Sequence, residues 1–441
     1  KNLHISTKST KIKKIIKLIN NTNNSPHIHI LQNKISDGYL VADFKLNFDQ
    51  NGKIKKDYEA NGYVKDGKID LLSGYDLNKV GFLFNIKKNN YNLKDINFSL
   101  NELNFYSNKI DLKNNDKILI VEGSLQNNNL EISNEKILNI RNLHPQIYKV
   151  ENINFSSDNN FFFKIDNKFK INELFLKSKV ILENLSFRNE KKGKYFFPEI
   201  DNQIYLKDNN IEITLKDGIY LIQGSGNLLI QEEIDKIKYV INNQNKLFQF
   251  KSNIQLNQNQ FFIDFLNYKK NKNSNATLKT EVVIDLNKEI NLKSIEIKEN
   301  KNIIMFEDIL LDKDFKIIKI DKINLNYIDD DDKKNIIKLA RNKDLYNIIS
   351  NTFNADNLAS KLLESDENKK NLFRNNFDLN LKMDQVYIDE INYLKNLNGS
   401  LKVIDNEVND MNIKSTFFDN KKFVFSIKSK NDEKVTTLFS E

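Results

Sequence analysis

The chain has 441 residues, with 30 Phe, 16 Tyr, no Cys and a formal net charge of +8. The many aromatic residues exclude a disordered chain, and the lack of Cys excludes a disulfide framework, a Cys-based zinc site and a thiol nucleophile. No run of 18 apolar residues is present, so the sequence contains no helix that could span a membrane.

The length exceeds that of one ordinary hydrophobic core and predicts two or three modules or a repetitive architecture. A charge of +8 by itself favours an acidic partner. The 68 basic residues are interleaved with 60 acidic ones, however, and Lys is abundant together with Asn and Ile throughout. Because the chain starts at Lys1 and ends without a cap signal, we expect it to be a fragment of a longer protein.

Apolar and polar residues alternate along most of the chain, which predicts strands with one dry face and one wet face. Such asymmetry is typical of antiparallel sheets. The clearest alternating segments are Phe44–Leu46–Phe48, Phe82–Phe84–Ile86, Ile96–Phe98–Leu100, Ile211–Ile213–Leu215, Ile254–Leu256, Phe261–Ile263–Phe265, Leu278 to Leu286 and Phe377 to Met383. The expected fold is therefore mainly β: a long twisted antiparallel sheet or meander that forms an elongated groove, with short helical insertions.

Dipeptides of the hairpin type separate many of these segments, and they predict that strands adjacent in sequence pair with each other. They are Asn51-Gly52, Asn61-Gly62, Asp66-Gly67, Asp217-Gly218 and Asn398-Gly399.

Three segments have helical spacing instead. Short helices are predicted near residues 11–20 and 231–243, and a helical insertion is predicted over residues 331–375, after the acidic run Asp329 to Asp332. The domain prediction is thus a β-groove region at 1–330, the insertion, and a C-terminal β region at 376–441.

We find no catalytic or metal-binding constellation in the sequence. His27 and His29 could share a strand face, but no third ligand lies nearby, and we interpret them as surface residues. The run Asp329 to Asp332 lacks the alternating ligands of a calcium loop and is interpreted as charge at a helix start. Asp384 and Asp389 have no pairing suited to acid–base catalysis. We therefore predict a non-enzyme without a cofactor.

Two further motifs also receive structural interpretations. Gly224-Ser225-Gly226 lacks the flanking spacing of a nucleophile elbow or a phosphate loop, and predicts a bulge or tight bend. Basic runs at Lys191, Lys192 and Lys194, and at Lys269, Lys270 and Lys272, are not grouped with stacking aromatic residues, so we expect solvated loops and no nucleic-acid partner.

The remaining feature is the apolar face itself, which is either a closed core or an open groove suited to acyl chains. We predict that it lines a lipid-binding groove. The predicted lining residues are Phe44, Leu46, Phe82, Phe84, Phe98, Ile213, Phe261, Ile263, Val282, Ile284, Leu379, Leu381, Ile413, Phe423 and Phe425.

The C-terminal stretch resembles AsmA-like proteins, and more closely their YhdP-like subgroup. The resemblance rests on four segments, Phe377 to Tyr387, Leu394 to Val403, Met411 to Phe417 and Phe423 to Ile427, in which an Asp-containing strand leads to a Leu-x-Gly-x-Leu strand and two amphipathic strands. A similar arrangement of residues recurs at Asn92 to Phe98 and Ile120 to Leu125. The clear match covers roughly the last 65 residues.

The resemblance implies an envelope protein of the periplasm, anchored to the inner membrane by a segment outside this sequence. It implies a hydrophobic β-groove that conducts phospholipids between the inner and outer membranes, with further envelope proteins as partners and no catalytic residues. A non-catalytic β-rich surface or adhesin-type protein, and an outer-membrane β-barrel, are the alternatives that the alternation leaves open.

Overall fold

The computed structural model describes residues 2–22, 32–52, 55, 57–70, 76–100, 102–115, 118–133, 149–168, 170–188, 203–244, 247–285, 289–313, 316–357, 374–405, 407–430 and 433–441. Most of these residues lie in β-strands, so the predicted fold class, mainly β with few helices, is confirmed. The chain divides into two compact units. Unit 1 comprises residues 1–143, 150–185 and 208–222, and unit 2 comprises 144–149, 186–207 and 223–441.

The first part of the chain contains helix α1 and the strands that build unit 1. Their bounds are β1 Asn2–Ser6, β2 Thr10–Lys11, α1 Ile12–Thr22, β3 Ile35–Asn47, β4 Glu59–Asp70, β5 Asp76–Lys87, β6 Asn90–Leu100, β7 Leu103–Asn115, β8 Ile118–Ser133, β9 Lys149–Asp166 and β10 Ile171–Arg188. Strands β11 Gln203–Lys216 and β12 Ile219–Leu229 follow, and each of them contributes residues to both units.

The strands of unit 2 continue the same pattern with shorter strands. They are β13 Ile234–Gln244, β14 Leu247–Leu256, β15 Phe261–Ile263, β16 Tyr268–Lys270, β17 Ala276–Asp285, β18 Ile290–Glu299, β19 Asn302–Leu311, β20 Ile317–Ile328, β21 Lys334–Asn342, β22 Leu345–Asn354, β23 Phe377–Tyr387, β24 Tyr393–Ile404, β25 Glu407–Phe417, β26 Lys422–Lys430 and β27 Glu433–Ser440.

Within each unit, strands that follow one another in sequence pair antiparallel, as the turn signals predicted. In unit 1 this meander runs from β3 to β9, and both β1 and β2 pair with the free side of β3. In unit 2 it runs from β13 to β27, with two departures: β15 and β16 form a separate small hairpin, and β22 pairs with β23 in parallel. A parallel pair needs a crossover connection rather than a tight turn.

One predicted helix is confirmed and two predictions are wrong. Helix α1 covers the first predicted segment and packs on β3. The segment 231–243 instead contains β13, in which Ile237, Tyr239 and Ile241 share one face and the intervening residues face the other way. The spacing of Ile234, Ile237 and Ile241 fits a helix equally well, and pairing with β14 decided between the two.

The predicted helical insertion at 331–375 is also wrong over most of its described residues. Residues 334–354 form β21 and β22, and residues 358–373 lie outside the described part. The pairs Ile336-Ile337 and Ile348-Ile349 place apolar side chains on both faces of their strands, and this doubling imitates helical spacing.

Only two of the five predicted hairpin dipeptides form turns. Gly52 and Gly218 have φ of +78° and +83° between paired strands. Asp66-Gly67 forms a bulge inside β4, while Asn61-Gly62 lies inside β4 and Asn398-Gly399 inside β24, just after a register shift. At Gly62 a Cβ atom would collide with the carbonyl oxygen of Val41 and lie 2.8 Å from Cζ of Phe84, so glycine is required by close approach and not by a turn.

Bulges recur in unit 1 at positions where the alternation of apolar and polar residues changes phase. Asp66, Lys79, Asp95 and Asn129 all have positive φ, and the strand register shifts beside each. A bulge adds one residue to one strand and re-aims the side chains that follow. Because of these shifts, the apolar residues on both sides of each bulge stay on one face of the sheet.

Candidate functional site

Unit 1 carries two apolar rows that run across the strands on one face. Residues directly opposite each other in paired strands project from the same face. The first row is Ile5, Phe44, Ala60, Ile86, Tyr91, Leu112, Val121 and Phe163, and the second is Ala42, Gly62, Phe84, Leu93, Ile110, Gly123 and Phe161. No charged residue interrupts either row. We call this surface the apolar face of unit 1.

The opposite face of the same strands is polar. The row beside the first apolar row contains His4, Lys45, Glu59, Lys87, Asn90, Lys113, Ile120 and Lys164. Asn92 donates a hydrogen bond to Asp111 across strands, and Lys87 pairs with Glu59 at 3.1 Å. The two faces of unit 1 therefore differ in polarity along these rows, although the pair Tyr63 and Leu83 is exposed on the opposite face.

Most side chains of the apolar face of unit 1 are half-buried. Phe44, Phe82, Phe84 and Phe98 all fall in this class. The rings pack along the face, with Phe98 and Phe105 stacked at 5.6 Å between centroids and Phe82 and Phe84 edge to face at 6.4 Å. Packing among neighbours thus hides part of each ring, while the remainder stays accessible.

One end of this face is closed and the other is open. At the closed end, where β3 begins and β4 ends, Ile12 of α1 packs against Gly38, and Ile16, Val80 and Ile96 are buried. At the open end, where the β3–β4, β5–β6, β7–β8 and β9–β10 turns lie, the rows contain half-buried residues such as Phe44.

Unit 2 repeats this arrangement over more strands. One row contains Ile241, Phe250, Val282, Leu292, Ile309 and Ile320, and a second contains Tyr239, Ser252, Thr280, Ile295, Phe306, Ile323, Leu339, Ile348, Leu381, Gly399, Ile413, Phe425 and Leu438. The Ser252 and Thr280 hydroxyls bond each other at 2.7 Å, so the row contains little unsatisfied polarity there.

A third row of unit 2 is covered and forms a true core. Its residues Ile297, Ile304, Leu325, Ile337, Met383 and Leu397 are buried. The cover is the segment from β15 through a 3₁₀ turn at Asp264–Leu266 to β16, which places Phe261, Ile263, Leu266 and Tyr268 in the same cluster. We call this segment the cover hairpin.

Buried hydrogen bonds hold the cover hairpin on the sheet. Tyr268 donates to Oε2 of Glu299 in β18 at 2.6 Å, and Tyr327 in β20 donates to the carbonyl of Leu266 at 2.8 Å. Lys270 Nζ instead donates to the carbonyl of Asn259, in the connection before β15, at 2.6 Å. Burial raises the pKa of Tyr268 and of Tyr327, and burial lowers the pKa of Lys270. Each of these groups is thus held in a dry environment with its bonding satisfied.

The predicted lining residues divide into two groups. Thirteen of the 15 are half-buried, which fits a partly accessible face; they are Phe44, Leu46, Phe82, Phe84, Phe98, Ile213, Val282, Ile284, Leu379, Leu381, Ile413, Phe423 and Phe425. Phe261 and Ile263 are only 4% and 3% exposed and belong to the cover hairpin, so their predicted place on the sheet is wrong. Phe265, which was predicted to lie on the same strand face as Phe261 and Ile263, is 47% exposed to solvent.

The polar motifs have structural roles in the described residues. Asp329 does not start a helix: its carboxylate closes the β20–β21 turn by accepting bonds from the Lys333 backbone at 2.8 Å and from Nδ2 of Asn335 and Asn354 at 3.0 and 2.9 Å. Asp389 likewise accepts the backbone N–H of Asn392 at 2.7 Å.

Three other motifs are placed differently from expectation or cannot be placed. Gly224 lies in the regular strand β12, where the ring of Tyr239 packs directly on it, so no bend is formed. Lys270 is fully buried and is not a solvated loop lysine. His27, His29 and the run Lys191 to Lys194 lie outside the described residues.

Sequence reasoning missed the cover hairpin and the half-buried hydroxyls and glycines within the rows. A buried Tyr or Lys has no local signature, because its burial depends on residues far away in sequence. Among the residues described, no group of three or more His, Cys, Asp or Glu could hold a metal ion, and no helix is long and apolar enough to cross a membrane. Comparisons with protein-family models, curated proteins and solved structures find no match to this chain.

Proposed function

We propose that this protein binds phospholipids by their acyl chains on its apolar faces and conducts them along those faces, without catalysis. The observation that carries the proposal is the continuity of the rows. In unit 1 eight consecutive positions from β1 to β9 are apolar, and their neighbours in the second row are apolar too. A contiguous apolar surface on one side of a sheet supports a binding role.

Energetics support a lipid as the occupant. Burying one methylene contributes about 0.8 kcal/mol, so two acyl chains can be held without any polar contact. A conduit also needs many equivalent weak positions, because a deep site would stop transit. The rows of half-buried Phe, Leu and Ile side chains have this uniformity, and the hydroxyls among them are few.

The cellular setting is proposed from the resemblance to AsmA-like, YhdP-like proteins at residues 377–427. On that basis the protein belongs to the periplasm, is attached to the inner membrane through a segment outside this sequence, and supplies phospholipids to the outer membrane. Envelope proteins at either membrane are the proposed partners.

Photo-crosslinking tests the proposal directly. A photoreactive residue placed at Phe84 in unit 1 or at Leu381 in unit 2 should form adducts with phospholipid acyl chains in a membrane-anchored protein. Asn85 and Asn380 are the matched controls, because each is the adjacent residue on the polar face. Adducts from Asn85 and Asn380 alone, or from none of the four positions, would show that the apolar side is only core.

Charge substitutions give a second, independent readout. Phe84→Asp and Leu381→Asp place an unpaired carboxylate on the apolar face, and covering that carboxylate with an acyl chain costs several kcal/mol. The amount of lipid recovered with the purified protein should therefore fall. Asn85→Asp and Asn380→Asp change the charge equally on the wet face and should retain lipid. Equal lipid content in all four variants would contradict the proposal.

A further inference from the structure

A shallow depression lies on the side of unit 1 that is opposite the apolar face. It crosses β4, β5 and β6, and its volume is about 330 Å³. Gly81 and Leu83 are part of its lining, and along β5 they alternate with Phe82 and Phe84 of the apolar face. Successive residues of a strand project to opposite sides of the sheet, so the depression is separate from the proposed lipid surface. We call it the polar-face depression.

A glycine interrupts a row of side chains at this place. Gly81 pairs with Asn97 of β6, and Lys65 of β4 lies on its other side, one residue beyond the pair Val64 and Phe82. Gly81 does not have a positive φ, so no turn requires glycine there. A Cβ atom at residue 81 would lie 3.0 Å from Oδ1 of Asn97. The amide of Asn97, which both donates and accepts hydrogen bonds, therefore lies close above the glycine.

Tyr63 and Leu83 give the polar-face depression an apolar wall. They are directly opposite each other in β4 and β5, and they are 43% and 46% exposed. Tyr63 makes no ring contact or side-chain hydrogen bond within the described residues. A single exposed apolar side chain is ordinary, but a cavity that combines an apolar wall with a few polar groups is typical of a small-molecule site.

Two lysines and two aspartates also line the depression, namely Lys65, Asp66, Lys79 and Asp95. The last three have φ of +53°, +53° and +49° and lie at bulges, one in each of the three strands. A bulge re-aims the side chains beside it. None of the four makes an ion pair or a side-chain hydrogen bond with any residue that the structure describes, whereas Lys109 and Asp111 on this face pair at 2.6 Å.

The balance of these charges indicates the kind of ligand that fits. An anion in the depression would meet two carboxylates, and a cation would meet two ammonium groups. The two signs are also interspersed, since Lys65 and Asp66 are adjacent in β4, so the lining has no separate positive and negative ends for a zwitterion. Lys94, opposite Leu83, lies outside the lining and interacts electrostatically with Asp111. An uncharged ligand with many donors and acceptors therefore fits best.

We infer that the polar-face depression binds a neutral sugar. One face of the sugar ring lies against Tyr63 and Leu83, and the hydroxyl groups bond to Asn97 and to the charged side chains around it. Each hydroxyl can donate and accept, so it can satisfy a carboxylate and an ammonium group alike. The inference goes beyond the proposed function and does not depend on it, because it concerns the other side of the sheet. A free oligosaccharide and the headgroup of a glycolipid offer the same ring chemistry.

Isothermal titration calorimetry of the full chain tests the inference. The neutral probes are maltose, cellobiose and N,N′-diacetylchitobiose, and the charged probes are glucose 6-phosphate, an anion, and phosphocholine, a zwitterion. Phosphatidylcholine vesicles with and without glucosyl diacylglycerol present the same chemistry as a headgroup. Tyr63→Ala removes the ring, and Gly81→Val fills the space above the glycine. The matched control is Tyr39→Ala, because Tyr39 is 40% exposed on the same side in β3 but is not part of the lining. Circular dichroism establishes that each variant is folded.

We expect a neutral disaccharide to bind more tightly than either charged probe. Tyr63→Ala should weaken this binding about tenfold, as expected when an aromatic contact is lost, and Gly81→Val should abolish it. Tyr39→Ala should leave it unchanged. Tighter binding of a charged probe, an equal loss in Tyr39→Ala, or the absence of Tyr63-dependent binding to both the disaccharides and the glycolipid vesicles would overturn the inference.

The vesicles distinguish the two sources of the sugar. Stronger Tyr63-dependent binding to the glycolipid vesicles than to free disaccharide identifies a lipid headgroup, and equal or weaker binding identifies a free carbohydrate. The amount of phospholipid recovered with the purified protein should be the same for Tyr63→Ala as for the unaltered protein, because Tyr63 faces away from the apolar face. Failure of sugar binding therefore leaves the proposed function standing, and failure of lipid binding leaves the sugar site standing.

Discussion

Individual residues of this protein are constrained most tightly where a side chain on one strand lies over a glycine on another. Gly224 in β12 is covered by the ring of Tyr239 in β13, and a Cβ atom at residue 224 would lie 2.6 Å from Cε2 of that ring. Tyr239 is itself half-buried, and desolvation raises the pKa of its hydroxyl to about 12. The ring therefore has little freedom to move aside.

We accordingly expect Gly224→Ala to lower the free energy of unfolding by about 1–3 kcal/mol, the usual cost of overpacking. In a Tyr239→Leu background the same change should cost much less, because the shorter side chain leaves room for the new methyl group. Urea denaturation of the four proteins in a double-mutant cycle measures the difference. Equal costs in both backgrounds would show that the ring is not what excludes a side chain.

Two other tyrosines make stability depend on pH. The pKa of Tyr268 and of Tyr327 is raised by burial, so both hydroxyls stay protonated in the folded protein above about pH 10, where an unfolded chain releases those protons. The folded state then binds more protons than the unfolded state, and stability falls as pH rises above about 10. The lowered pKa of Lys270 has the opposite effect on stability. As the pH rises toward about 10.5, the folded state releases this proton before the unfolded state does, so this group makes stability rise with pH.

Denaturation at several pH values between about 9 and 11.5 tests this sign. The unaltered protein should lose up to about 1.4 kcal/mol per pH unit for each buried tyrosine above about pH 10. Tyr327→Phe removes one titrating group and one hydrogen bond, so it should be less stable at about pH 9 but have a flatter decline. Parallel curves for the two proteins would mean that Tyr327 ionises normally.

Among the elements, the cover hairpin of unit 2 decides which part of the apolar face is core. Its two phenylalanines illustrate the difference: Phe261 is inserted among Ile304, Leu325 and their neighbours, whereas Phe265 projects into solvent from the 3₁₀ turn. The uncovered rows of unit 2 lack such an element among the described residues.

Phe261→Ala should therefore cost about 3–5 kcal/mol of unfolding free energy, the range for emptying a buried aromatic site. Phe265→Ala, the same chemical change on the solvent side of this hairpin, should cost less than about 1 kcal/mol. Thermal or urea unfolding provides the comparison. If Phe261→Ala left stability intact and reduced lipid content instead, Phe261 would be a lining residue after all.

At the scale of the whole molecule, both units present rows of equivalent apolar positions and no single deep site among the described residues. The row of unit 1 crosses eight strands, or roughly 34 Å at the usual strand separation, so it is wide enough for several acyl chains. Uniform weak sites along such a row should fill independently.

Native mass spectrometry of the detergent-purified protein should thus show a graded series of lipid adducts whose mean number rises with added phospholipid. Phe84→Asp in unit 1 should lower the mean number without abolishing the series, because unit 2 is unaffected. Asn85→Asp serves as the control. Saturation at a single bound lipid would indicate one specific site in place of a row.

The sequence by itself determined the β class, the sequence-order pairing and which face of most strands is apolar. Alternation has a period of two, and a strand must place alternate side chains on opposite faces, so Phe44, Phe84 and Leu381 could be assigned to the dry side from the chain alone. Helix α1 was equally predictable from the sequence, because the three- and four-residue spacing of its apolar residues does not fit a strand.

Only the tertiary structure decided the remaining features. Ile237 and Ile337 lie in segments whose spacing fits a helix as well as a strand, and hydrogen bonds to neighbouring strands settled the matter. The same applies to Asn61-Gly62, where a neighbouring ring and not a turn requires glycine. Whether an apolar residue becomes core, like Phe261, or stays partly accessible beside the core, like Leu381, depends on what packs over it. Covering segments come from distant parts of the chain, and local patterns contain no information about them.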